Sequence, residues 1–339
     1  LKLALGLFER PYTDPHAAPA PVNDEHLQAA REVATRSCVL LKNSEERLPL
    51  AATDLQSVAV IGPLADDGYE QLGTWVFDGE SRHSHTCLQA IQAAVGEDVA
   101  VHWAPGLTHS RCRETGGFEE AVAAAARSDV TILFLGEESI LSGEAHCRAE
   151  IDLPGGQAEL VDAVAATGTP IVLVVMAGRP LTLGGILDKV DALLYAWHPG
   201  TMAGPAIADL LFGIESPSGK LPVTFPRLVG QIPIYYASKN TGRPPSHEAI
   251  TFIDDIDGKA PQTSLGMSAF HLDAGFTPQF PFGFGLSYGR FEYSDLELST
   301  DQMIMGDTLD VGATLHNHGP HAAEEVVQLY IRDLVGNVT

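Results

Sequence analysis

Asp129-Val130-Thr131-Ile132-Leu133-Phe134-Leu135 is an apolar run, rich in β-branched residues, that ends at Gly136. Seven residues suit a strand better than a helix. The run does not alternate with polar residues, so a strand made from it must be covered on both faces. Residues 57–61, 170–176 and 190–197 have the same character, and 99–103 is a shorter version. Helical patterns lie between them, over 86–95, 118–126, 158–166, 181–187 and 203–212. Strands alternating with helices predict an α/β architecture, a mostly parallel sheet with helices on both faces.

Ahead of the first strand, Asn23 or Asp24 can cap a helix, with Glu25 in its first turn. Leu27, Ala30, Ala34, Cys38 and Leu41 continue at helical spacing, so the helix is expected to run to residues 39–43. Leu1, Leu5 and Phe8 share one helical face before Pro11, and the proline- and alanine-rich stretch 15–22 is an expected linker. Residues 216–226 suggest a turn feeding a short edge strand, and 245–280 is long and irregular. From Phe291 the pattern changes to period two. Leu309, Val311, Ala313 and Leu315, then Val327, Leu329 and Ile331, predict about three antiparallel strands with one buried face. That is the beginning of a β-sandwich.

The 339 residues leave room for two or three domains. Acidic residues outnumber basic ones, 44 to 20, which argues against nucleic acid or an anionic membrane as partner but allows a neutral ligand such as a sugar. No apolar run reaches membrane-spanning length. Gly62-Pro63-Leu64-Ala65-Asp66-Asp67-Gly68 follows the strand at 57–61 without a dinucleotide fingerprint, and Pro63 removes an N–H that a phosphate cradle would use. The histidines and the scattered Cys38, Cys87, Cys112 and Cys147 show no metal-ligand spacing. Neither a cofactor nor a metal is expected. Asp255 to Gly258 holds only a fragment of a calcium loop.

The polar loop after Leu135 leaves from a strand's carboxyl end, the edge where open α/β sheets bind ligands. It carries Glu137, Glu138 and Glu144, with His146 and Arg148 beside the last. A carboxylic acid on such a loop can act as general acid/base; three loop glutamates can equally be solvated charge. Earlier in the chain, Trp75 and Phe77 stand between Gly73 and Gly79. They can present a flat apolar face to a sugar ring, or simply pack.

Gly136-Glu137-Glu138-Ser139-Ile140-Leu141-Ser142-Gly143-Glu144-Ala145-His146-Cys147-Arg148, followed by Asp152-Leu153-Pro154-Gly155-Gly156-Gln157, resembles the acid/base loop of glycoside hydrolase family 3. Leu5-Gly6-Leu7-Phe8, Ser216 to Pro226, Asn240 to Pro244 and Pro281 to Tyr288 resemble other motifs of that family, in its order. The resemblance implies a retaining β-glycosidase: a β-glucosidase, with β-xylosidase as the close variant, acting on β-linked oligosaccharides or β-glucosides. It makes Glu144 the acid/base and matches Trp75 best to the aromatic wall for the leaving-group sugar, with Phe77 a further substrate-binding candidate beside it. His146 and Arg148 would shape the loop. The nucleophile would be an Asp of an N-terminal (β/α)8 barrel that acts as partner to this chain.

In that reading residues 1–22 are the barrel's end and a linker, with the natural N-terminus upstream of Leu1. Residues 23–289 form an α/β sandwich, and 290–339 a truncated fibronectin type III-like domain. A periplasmic or secreted location and a homodimer are further expectations. The alternative is a non-catalytic α/β module that binds carbohydrate or a partner.

Overall fold

The computed structural model describes residues 1–12, 14, 22–239, 242–262 and 265–336. Most of the expected linker at 15–22, and the first two residues of the 240–244 motif, lie outside the described residues.

Six strands form the main sheet: β1 (Val39–Asn43), β2 (Ser57–Ile61), β3 (Ala100–Ala104), β4 (Val130–Gly136), β5 (Ile171–Met176) and β6 (Ala192–Tyr195). Their order is β1-β6-β5-β4-β2-β3, and every pairing is parallel except β1 with β6. The apolar runs are covered on both sides, as continuous hydrophobicity requires. Leu133 and Leu135 of β4 enter one core cluster with Leu160 and Val164 of α4 (Gln157–Ala165) and Ala121 of α3 (Phe118–Ala126). Ile132 and Phe134 enter the opposite cluster with Ile91 of α2 (Cys87–Val95) and Ile207 of α6 (Ala203–Leu211). Helix α1 (Asp24–Ser37) packs on α6. Its start is capped by Asn23, whose side chain accepts from the His26 N–H at 2.8 Å.

Four expectations need correction. The first helix ends at Ser37; Cys38 is extended, and Val39 to Asn43 is a strand. The apolar residues 38–41 are contiguous, so they alternate between the two clusters: Val39 and Leu41 in one, Cys38 and Leu40 in the other. Pairing with β6, from Val39 with Tyr195 to Asn43 with Ala192, overrides the helical spacing. The expected helix at 181–187 shrinks to α5 (Gly184–Leu187); Leu181 is buried, and Thr182 bridges Asp152. Residues 216–226 make a single bridge, Phe225 with Phe280, instead of an edge strand.

The fourth correction concerns the C-terminal part. Among the described residues it forms one antiparallel pair, β7 (Phe291–Leu298) with β8 (Val311–Asn317). Val327, Leu329 and Ile331 lie outside any strand and are exposed. A two-stranded ribbon has no second sheet against which to bury a face, so the period-two pattern stays half open.

Candidate active site

The order of the sheet locates its crevice. From β2 the chain crosses to β3 on one side, and β4 lies on the other. The reversal therefore falls between β2 and β4, and ligands of such sheets bind outside the carboxyl ends at that point. The loop after β2 carries Trp75 and Phe77; the loop after β4 carries the three glutamates. The two loops touch: a Cβ at Gly143 would stand 2.8 Å from the Thr74 hydroxyl.

The β4 loop is anchored at its root. Gln157, fully buried at the start of α4, accepts from the Gly136 N–H at 2.7 Å and donates to the Gly136 carbonyl at 2.8 Å. The Glu137 N–H donates to the Met176 carbonyl at 2.8 Å, carrying the β4–β5 ladder one residue further. A buried glutamine can serve both backbone groups of one residue because its amide is donor and acceptor at once.

The three glutamates have three different environments. Glu137 is wholly buried, and its carboxylate is clamped by Arg148 and by Arg179, whose Nε stands 3.0 Å from Oε1. Glu138 is buried too; it accepts from the Ser110 hydroxyl and from both arms of Arg111, at 2.9 and 3.0 Å. The Arg111 bonds chiefly hold its carboxyl down to about 2, against the desolvation that burial imposes. Glu144 is exposed at the apex, between Gly143 and Ala145, both at positive φ, with no hydrogen-bond or ion-pair partner among the described residues. So two of the three are structural anions, and Glu144 is the one free to meet a ligand. Arg148 shapes the loop through Glu137, and His146 Nδ1 lies 3.1 Å from the Ser142 carbonyl.

Trp75 is 58 % exposed and Phe77 88 %, with ring centroids 6.0 Å apart. Trp75 also sits at φ 65°, a conformation that is a genuine outlier for a bulky side chain. An exposed aromatic held in a strained conformation is a poor core residue; such strain collects at ligand sites.

Sequence reasoning did not single out Arg179 or His198. Both follow strands, β5 and β6, at the same carboxyl edge, and that placement is the signal that could have found them. His198 is wedged between two close glycines: a Cβ at Gly73 would stand 2.7 Å from its Cβ, and one at Gly178 would stand 3.5 Å from its Cδ2. Neither ring nitrogen has a hydrogen-bond partner among the described residues. Burial pushes its pKa down from 6.5 to about 4. The sign follows: between pH 6.5 and 4 the unfolded chain takes up a proton that the folded chain refuses, so stability falls as the pH falls through that window. The expected loss is up to about 3 kcal/mol. Urea melts of the wild type and of His198→Phe at pH 7 and 4.5 check it; the variant should lose less between the two.

The profile of the "Glycosyl hydrolase family 3 C-terminal domain" matches residues 38–288. The periplasmic beta-glucosidase of Salmonella typhimurium is 36% identical, over 100% of this chain and 46% of its own. A beta-xylosidase of Formosa agariphila is 35% identical, over 98% and 44%. The beta-glucosidase of Listeria innocua, solved in complex with isofagomine, superposes with a TM-score of 0.81 at 34% identity, over 95% of this chain and 42% of that one. This chain thus spans less than half the length of these relatives.

Proposed function

Since the chain belongs to glycoside hydrolase family 3, we propose that it supplies the acid/base half of a retaining β-glycosidase, acting on β-glucosides or the related β-xylosides. One observation carries the reading: Glu144 stands free at the sheet's switch point, on a loop that touches the one bearing the exposed Trp75 and Phe77, while the two glutamates at the loop's root, Glu137 and Glu138, are neutralised by arginine. In the first step its carboxyl donates a proton to the leaving glycosidic oxygen. In the second, the same group, now a carboxylate, takes a proton from water. Trp75 and Phe77 offer the apolar face on which the departing sugar's C–H face stacks.

The nucleophile of a retaining site must stand roughly 5–5.5 Å from the acid/base. Glu137 and Glu138 are already committed to arginines. The family resemblance implies a nucleophile on an N-terminal (β/α)8 barrel, and we propose that arrangement here, with residues 1–22 as its end and linker and 23–289 as the sandwich that faces it. Residues 290–339 are then part of a fibronectin type III-like domain built on β7 and β8. The named Salmonella relative favours a periplasmic location, and no described helix is long and apolar enough to cross a membrane.

Assaying residues 1–339 alone, and joined behind a family 3 barrel, on aryl β-glucosides and β-xylosides tests the reading. Turnover is expected from the joined protein only. Ordinary turnover by 1–339 alone would place both carboxylates inside this chain. Oligosaccharide binding without turnover in the joined protein would favour the non-catalytic module.

A further inference from the structure

We propose that Glu137 is a positioning residue for the acid/base: its buried carboxylate orients Arg179, and Arg179 sets where Glu144 stands over the sheet edge. The inference rests on the reading of Glu144 given above.

Glu137 is the last fixed point of β4. Its side chain is fully buried, and its N–H still belongs to the ladder with β5. Arg179 comes from the next strand's end and meets that carboxylate through Nε, at 3.0 and 3.1 Å. Its Nη2 is turned the other way. It donates to the carbonyl of Leu141 and, at 3.1 Å, to that of His146. Those carbonyls lie three residues before Glu144 and two after it. A guanidinium can make this bridge because its donors form a rigid planar fork; an ammonium cannot reach all three acceptors at once.

Arg148 closes the loop's far end on the same carboxylate, and its Nη2 donates to the Asp152 carbonyl at 2.9 Å. One anion thus ties the first and last residues of the excursion from Glu137 to Arg148 and, through Arg179, both flanks of its apex. The apex needs such a tie. Gly143 and Ala145 have positive φ, and Glu144 itself has no partner among the described residues. Both guanidiniums are mostly buried, 18% and 17% exposed in their side chains. Without the carboxylate they carry uncompensated charge and turn toward water, which releases the loop carbonyls.

The bland alternative is an ion pair that only holds the fold together. Three readouts separate the two. In residues 1–339, Glu137→Gln should speed amide exchange over 141–147 by about tenfold or more while β4 and β5 keep their protection. In the barrel-joined protein the same variant should lower kcat about 100-fold on alkyl glycosides, whose leaving group needs a proton, with KM little changed. Dinitrophenyl glycosides, which need none, should lose only a few-fold in kcat/KM, which reports the glycosylation step, although their deglycosylation still needs the base. Arg179→Lys keeps the charge but not the fork, and should reproduce both effects if Glu137→Gln does not fold. Asp209→Asn, which breaks the remote α1–α6 pair with Arg31, should lower stability with no preference between leaving groups.

Equal losses of kcat/KM on both substrates, or unchanged exchange over 141–147, overturns the proposal. Glu144→Ala measured in parallel separates its failure from that of the underlying reading. If Glu144→Ala discriminates leaving groups and Glu137→Gln does not, the positioning role alone falls. If neither discriminates, the acid/base reading falls and takes this proposal with it.

Discussion

Glu144→Ala in the barrel-joined protein is expected to lose 10²–10⁴-fold in kcat on natural oligosaccharides, the usual worth of a general acid/base, roughly, where the leaving group is a sugar alkoxide. The glycosidic oxygen leaves as a strongly basic alkoxide unless a proton arrives as the bond breaks. An aryl group with a low-pKa phenol leaves unassisted, so glycosylation of the enzyme should be nearly unaffected on dinitrophenyl glycosides. The second step still needs a base for water, so these substrates should show a burst followed by slow turnover. Azide needs no deprotonation and can occupy the space left by the carboxylate; it should restore steady turnover and give a β-glycosyl azide. The alkaline limb of the kcat/KM profile, which reports loss of the acid's proton, should vanish. Equal losses on alkyl and dinitrophenyl glycosides, with no azide rescue, would remove Glu144 from the role.

The parts of this fold that were legible in the sequence are those whose burial is complete. Strands β4 and β5 sit between two helical layers, so their apolar runs are unbroken and their ends fall within a residue of the pattern. Helix α2 is legible because Thr86 caps it, accepting from the Gln89 N–H. Strand β1 was not legible. Its apolar residues adjoin those of α1, and what makes them a strand is β6, some 150 residues later. The opposite failure occurs at the C-terminus, where period two is present in the chain at 327–331 but has no sheet to serve.

The site was half legible for a related reason. The motif picks out the β4 loop, but spacing treats Glu137, Glu138 and Glu144 alike. What sorts them is Arg111, Ser110 and Arg179, which come from other loops. Nor does any local pattern give strand order, so that the Trp75 and Glu144 loops flank one switch point emerges only with the sheet assembled. His198 shows the limit plainly: a histidine after a strand says nothing until Gly73 and Gly178 close on it.

Gly136→Ala is expected to cost roughly 3–5 kcal/mol, a fall of about 10 °C in Tm. Gly136 has φ 143°, which L side chains rarely adopt, and a Cβ there would stand 1.8 Å from the Met176 carbonyl oxygen. That oxygen cannot retreat freely. It accepts the Glu137 N–H, and Gly136 is paired with Met176 at the end of the β4–β5 ladder. Relief therefore means opening the ladder, and with it the Gln157 bonds that grip both polar groups of the Gly136 peptide backbone. Gly168→Ala separates the two contributions. Gly168 also has positive φ, 75°, but an added Cβ would meet nothing within 4 Å. Backbone conformation alone should make that variant cost about 1–2 kcal/mol. Chemical denaturation of both measures the difference. A similar loss for the two would show that β4 and β5 yield at their ends more easily than this packing implies, and that the root of the Glu144 loop is softer than its hydrogen bonds suggest.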